Sequence, residues 1–180
     1  MQPMDQAKHP VTALAGPYGH PLHPALVAVP IGAWIASFIF DLASHFVRGP
    51  QFLTQGSRWL IGIGVLGALT AAMVGFLDLF AIPTGTRTHR TALVHMSINL
   101  VVTAAYAANF VVRGSPAAGG PVGWGPLALS AASLAALAVA GYLGGELAYR
   151  YGVRVADETI QAAGYHTPTP YRETADKENV

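Results

Sequence analysis

Residues 57–82 read SRWLIGIGVLGALTAAMVGFLDLFAI, and between Arg58 and Asp78 no side chain is charged. A helix needs about 20 apolar residues to cross about 30 Å of hydrocarbon, and this stretch exceeds that length. A spanning segment must satisfy its own backbone, and barrel strands would be shorter and alternating, so a helix is expected. Three further stretches have the same character, at residues 24–47, 91–112 and 126–149. Stop signals separate the four: Arg48-Gly49-Pro50, then Pro83-Thr84-Gly85, then a Gly- and Pro-rich run from Arg113 to Pro126.

Composition agrees. The chain of 180 residues is 52% hydrophobic and 11% charged. Soluble domains carry about 25% charged residues, so this chain lacks the cover that a water-facing surface requires. A net charge of +1 argues against nucleic acid, which would want a basic face. The absence of cysteine excludes disulfides, thioether-linked haem and Cys-ligated metal sites. Any metal must use His and carboxylate ligands, and any haem must be held non-covalently.

The fold expected is an all-α four-helix transmembrane bundle with both termini cytoplasmic. Residues 1–19 form a polar N-terminal segment without the pattern of a cleaved signal peptide, so the first apolar stretch reads as a retained anchor. Residues 20–155 form the membrane domain, and 156–180 a polar cytoplasmic tail. Four spans put both ends on one side. That side holds Lys8, Arg87, Arg90, Arg150, Arg154, Arg172 and Lys177, against Arg48, Arg58 and Arg113 on the other. Seven against three places it in the cytoplasm. Trp59 and Trp124 fall at the outer interface, Tyr149 and Tyr151 at the inner one, as an aromatic belt would.

Small residues predict close helix packing: Ala28, Gly32 and Ala36 in the first span, Gly141 and Gly145 in the fourth. Gly62-Ile63-Gly64-Val65-Leu66-Gly67 matches a dinucleotide fingerprint by letter only. No strand precedes it, and its glycines read as packing positions. No internal repeat is evident, nor any nucleophile elbow or phosphate loop.

The groups that could carry chemistry gather at the inner end. His20-Pro21-Leu22-His23-Pro24 sets two stiffly held histidines at the start of the first span, with His23 at the helix cap. Pro30 follows, cannot donate to the Leu26 carbonyl, and predicts a kink. His95 lies one turn inside the third span, on a polar stripe with Asn99, Thr103, Tyr106 and Asn109. Such a stripe should face the interior, where an ionisable group marks function or serves as interhelical glue. Asp78 is expected at a similar depth. It could ligate a metal, orient His23 or His95, or pair with Arg87 or Arg90. Glu146 is expected to pair with Arg150 one turn on. His89 and Arg90 read as loop residues able to cover the site or meet lipid phosphates. At the outer end, Asp41 and His45 read as an orienting hydrogen bond, with a second site as the alternative.

Several pieces together resemble the bacterial integral membrane proteins grouped as the DUF2231 family. They are His20-Pro21-Leu22-His23-Pro24, Val29-Pro30-Ile31-Gly32, Asp41-Leu42, Asp78, His95, Gly144-Gly145-Glu146-Leu147 and Tyr151-Gly152-Val153. The resemblance covers most of residues 18 to 155 and implies a multi-pass protein of the bacterial cytoplasmic (inner) membrane. Some members carry a fused Rieske-type iron–sulfur module, so the resemblance implies electron-transfer context and a redox partner of that type.

The leading functional expectation is b-type haem near the cytoplasmic face, with His95 and one of His20 or His23 as axial ligands, for electron transfer. The alternative is an iron, zinc or manganese ion held by His20, His23, Asp78 and His95, for transport or catalysis. A third reading is a non-catalytic anchor or assembly subunit, including a homo-oligomer, whose polar cluster is helix–helix glue.

Overall fold

The computed structural model describes residues 3–114 and 120–165, and these are helical with no strand among them. After a short α1 (Pro3–Lys8), the first span is made of α2 (Leu22–Leu26) and α3 (Ala28–Ala43). The others are α4 (Gln51–Leu79), α5 (Arg87–Val112) and α6 (Trp124–Gly145), the last extended by a wider π turn over Glu146–Arg150. A short α7 (Glu158–Ala163) follows. Four segments are long and apolar enough to span: Leu22–Ala43, Gln51–Leu79, Arg87–Val112 and Trp124–Arg150, with mean hydropathy 2.0, 2.2, 1.4 and 1.8.

The four expected spans are present, with shifted ends. α5 starts at Arg87, so His89 and Arg90 lie in its first turn rather than in a loop. Thr86 caps that turn, its side chain accepting from the His89 backbone N–H. α2 starts at Leu22, which places His23 inside the helix rather than at its cap. The break between α2 and α3 falls at Val27. Pro30 explains it, because Pro30 offers no N–H to the Leu26 carbonyl.

The helices pack around a square in chain order: the first span against the second and fourth, the third against the second and fourth. The first and third spans are therefore diagonal. Polarity is reversed relative to a soluble bundle. Trp59, Met73, Val101, Val111 and Tyr142 are exposed, while Ser37, Asp41, Ser57, Asn109 and Ser130 are buried. An apolar exterior of this extent, with polar groups buried among the core residues, suits lipid rather than water.

Trp34 and Tyr106 stack across the diagonal with centroids 4.2 Å apart, and with Ile61 and Val102 form the central core. Glycines make room for it. A Cβ on Gly64 would meet Trp34 Nε1 and one on Gly67 would meet Val29, so these are packing glycines. The spacing that pointed to Gly32, Gly141 and Gly145 did not find contacts. A Cβ at any of the three would meet nothing within 4 Å.

At the end of the bundle where the first span begins, the two terminal segments meet. Lys8 Nζ lies 2.9 Å from Asp157 Oδ1, and Tyr18 donates to Asp157 Oδ2 at 2.7 Å. The Arg154 backbone N–H donates to the Ala7 carbonyl. Both ends of the described chain are thus on one side, and residues 151–157 belong to the packed domain.

Candidate functional site

His23 and His95 face each other from the diagonal spans, ring centroids 6.4 Å apart and rings nearly perpendicular at 84°. Each ring is held by the span that follows its own in the chain. His23 Nδ1 donates to the Ala71 carbonyl of α4 at 2.8 Å, and His95 Nδ1 to the Ala140 carbonyl of α6 at 2.8 Å. A carbonyl can only accept, so in the neutral ring Nδ1 carries the proton and Nε2 keeps its lone pair. That is the state of a histidine prepared to ligate.

A glycine one turn beyond each carbonyl gives the ring its space. A Cβ on Gly75 would stand 2.7 Å from His23 Nδ1, and one on Gly144 would stand 3.1 Å from His95 Cε1. Neither glycine was singled out from sequence as part of a site. The Gly144-Gly145 doublet was the available signal, and Gly144 is its working half. Asn99 lies beside the pair, its amide donating to the His95 carbonyl at 2.8 Å and standing 3.3 Å from His95 Nε2.

The other candidates separate from the pair. Asp78 does not reach the histidines, Arg87 or Arg90. Its Oδ1 lies 2.8 Å from Arg154 Nε, a contact of opposite charges without the alignment of a hydrogen bond. Arg154 is buried, with its backbone at φ 61°, and its Nη2 donates to the carbonyls of Ala15 and Gly16. His20 is exposed just outside α2. Glu146 pairs with Arg150 at 2.9 Å as expected and also accepts from Tyr151. Among the described residues no group of three or more His, Asp or Glu converges.

The polar stripe of α5 divides. Asn99 and Thr103 return hydrogen bonds to their own helix, whereas Tyr106 and Asn109 reach α6 through the Ser130 and Pro126 carbonyls. At the opposite end of the bundle, Asp41 does not bond His45. Both Asp41 oxygens accept from Arg113, at 2.7 and 2.6 Å, and Arg113 also donates to Ser57 and Asn109. His45 instead stacks on Trp124 with centroids 4.6 Å apart. The Asp41 carboxylate is fully buried, so its charge is tolerated only because a bidentate guanidinium meets it.

The family follows from the same residues. A family model described as a predicted membrane protein, DUF2231, matches residues 19–157. The chain belongs to the DUF2231 family. The match takes in the four spans and ends at Asp157, so the DUF2231 unit includes the segment that carries Arg154, while Lys8 and Tyr18, which clasp Asp157, precede it. No curated protein and no solved structure matches the chain at a significant level.

Proposed function

We propose that this DUF2231 protein is a redox protein that holds b-type haem between His23 and His95, at the cytoplasmic side of the membrane. The observation that carries the reading is the pair of carbonyl-anchored imidazoles 6.4 Å apart. His23 and His95 are the residues that would hold the group. Haem asks for only two donors from the protein, and two are present. When bound, it would supply a one-electron couple to the membrane domain. The protein's part is to fix both rings through Ala71 and Ala140, and Asn99, whose amide stands 3.3 Å from His95 Nε2, would have to release that nitrogen for it to ligate.

A bare iron, zinc or manganese ion wants four or more donors. With Asp78 on Arg154 and His20 at the surface, the pair falls short of that number. The cytoplasmic placement rests on the basic residues of the inner end, and a Rieske-type iron–sulfur partner is what the family context suggests.

Purified protein is expected to show a Soret band that shifts on reduction and is lost in His23→Ala and in His95→Ala. Colourless protein with no haem in a pyridine extract overturns the proposal. A stoichiometric metal without porphyrin in elemental analysis would favour the bare ion.

A further inference from the structure

We infer that the four-span domain is one helical hairpin present twice, docked on itself about a pseudo-twofold axis, and that His23 and His95 are its two equal half-sites. The ring-to-carbonyl contacts made by the first hairpin recur in the second at the same register. Trp34 is eleven residues after His23, and Tyr106 is eleven after His95. Asp41 is eighteen after His23, and Arg113 is eighteen after His95. These spacings are about three and five helical turns, so each trio lies on one face.

The partners keep register as well. His23 donates to Ala71 and His95 to Ala140, both at 2.8 Å. Trp34 donates to the Ile61 carbonyl and Tyr106 to the Ser130 carbonyl, both at 3.4 Å. Ile61 and Ser130 each lie ten residues before the alanine, and Gly75 and Gly144 each lie four after it. Both hairpins start at the same end of the bundle, so the axis relating them runs along the helices, as in parallel membrane repeats. The three facing pairs, His23–His95, Trp34–Tyr106 and Asp41–Arg113, all lie across that axis.

Two consequences follow. A site on the axis, flanked by equal half-sites, takes a ligand with two equivalent faces; this step rests on the haem reading above. The third pair explains why each hairpin chooses the other. Two copies of the first hairpin would bury Asp41 against Asp41, and two of the second Arg113 against Arg113. Only the mixed pair is neutral, so unlike charges at equivalent positions select the pairing.

Exchange of equivalent residues tests the repeat in the full chain. Asp41→Arg and Arg113→Asp should each lower the thermal midpoint in detergent, and the double exchange should restore at least half of the loss of the worse single variant. The same exchange at Asp78 and Arg154 should restore nothing, because Arg154 sits at φ 61° on carbonyls that Asp78 does not share. If the single variants yield no folded protein, Trp34→Tyr with Tyr106→Trp is compared with each of its single changes in the same way. Failure of the Asp41/Arg113 exchange, or equal recovery of both ion pairs, overturns the repeat. The half-sites are read separately: His23→Ala and His95→Ala should lose bound haem to the same extent, within about twofold. Unequal loss overturns the equal half-sites. Wild-type protein without haem overturns the proposed function and leaves the repeat to the melting comparison.

Discussion

The imidazole of His23 stands edge-on to that of His95 with 6.4 Å between centroids, each ring fixed from behind by a carbonyl of the next helix. Neither ring can turn without breaking that bond. The pair is therefore set before any ligand arrives, which lowers the entropic cost of binding.

The glycines behind the rings give the most direct test of that arrangement. Gly75→Ala places a methyl group 2.7 Å from His23 Nδ1, so the ring must turn and release the Ala71 carbonyl. Haem content, read as Soret absorbance per mole of protein, should fall about tenfold at limiting haem, the equivalent of ~1.4 kcal/mol. Gly144→Ala meets its ring at 3.1 Å and should have a smaller effect. Gly141→Ala meets nothing and should bind as the wild type does. An equal effect in all three would dissociate the glycines from the site.

The spans were legible because uninterrupted apolar runs need no partner to be recognised. His95 was legible because depth alone makes an ionisable group conspicuous. The pairing of charges was not. Asp78 is bound by Arg154 and Asp41 by Arg113, 76 and 72 residues away, and no local pattern encodes contacts across a bundle. Arg154 also lies beyond the last span, where the chain turns polar. The repeat was hidden because its identical letters, such as His23 and His95, Ala71 and Ala140, or Gly75 and Gly144, are scattered among common apolar residues, while its other facing pairs hold Trp and Tyr, or Asp and Arg. Helix phase misled by one position in the fourth span, where Gly141 and Gly145 share a spacing but Gly144 makes the contact.

Asp78→Asn leaves the Arg154 guanidinium buried without its counter-charge. Removing one partner of a buried ion pair costs about 3–5 kcal/mol, and a loss of that size is expected in unfolding followed in detergent. Replacing both partners with apolar residues, as in Asp78→Leu with Arg154→Met, should cost less than Asp78→Asn alone. Carbonyls of Ala15 and Gly16 would still lose their donor, so recovery should stay incomplete.

Arg113→Ala should be the most damaging single change at the end of the bundle opposite the Asp157 clasp. It strands the fully buried Asp41 carboxylate and removes donors from Ser57 and Asn109 together. Its expected cost is again about 3–5 kcal/mol. Because the two groups share one network, Asp41→Ala combined with Arg113→Ala should fall short of the sum of the single losses by at least about 1 kcal/mol. Strict additivity would show that the pair contributes no coupling.

The Asp157 clasp predicts a pH window. Hydrogen bonds from Lys8 and Tyr18 hold the Asp157 carboxyl below its ordinary 3.8. A depressed acid stabilises the folded form above its unfolded value, and that contribution is lost as pH falls through the lower folded value. The hydrogen bond to Asp157 raises Lys8 above 10.5, and burial raises Tyr18 above 10.0. A raised group contributes fully below its unfolded value, and that contribution is lost as pH rises through the folded one. The clasp should therefore stay closed from about pH 4 to about pH 10 and open on either side. Amide hydrogen exchange at residues 3–19, corrected for intrinsic rates, should be flat across that window and accelerate outside it. Asp157→Asn, which removes the charge, should raise exchange within the window and abolish the acid limb. An unchanged acid limb in that variant would assign it to another carboxyl group.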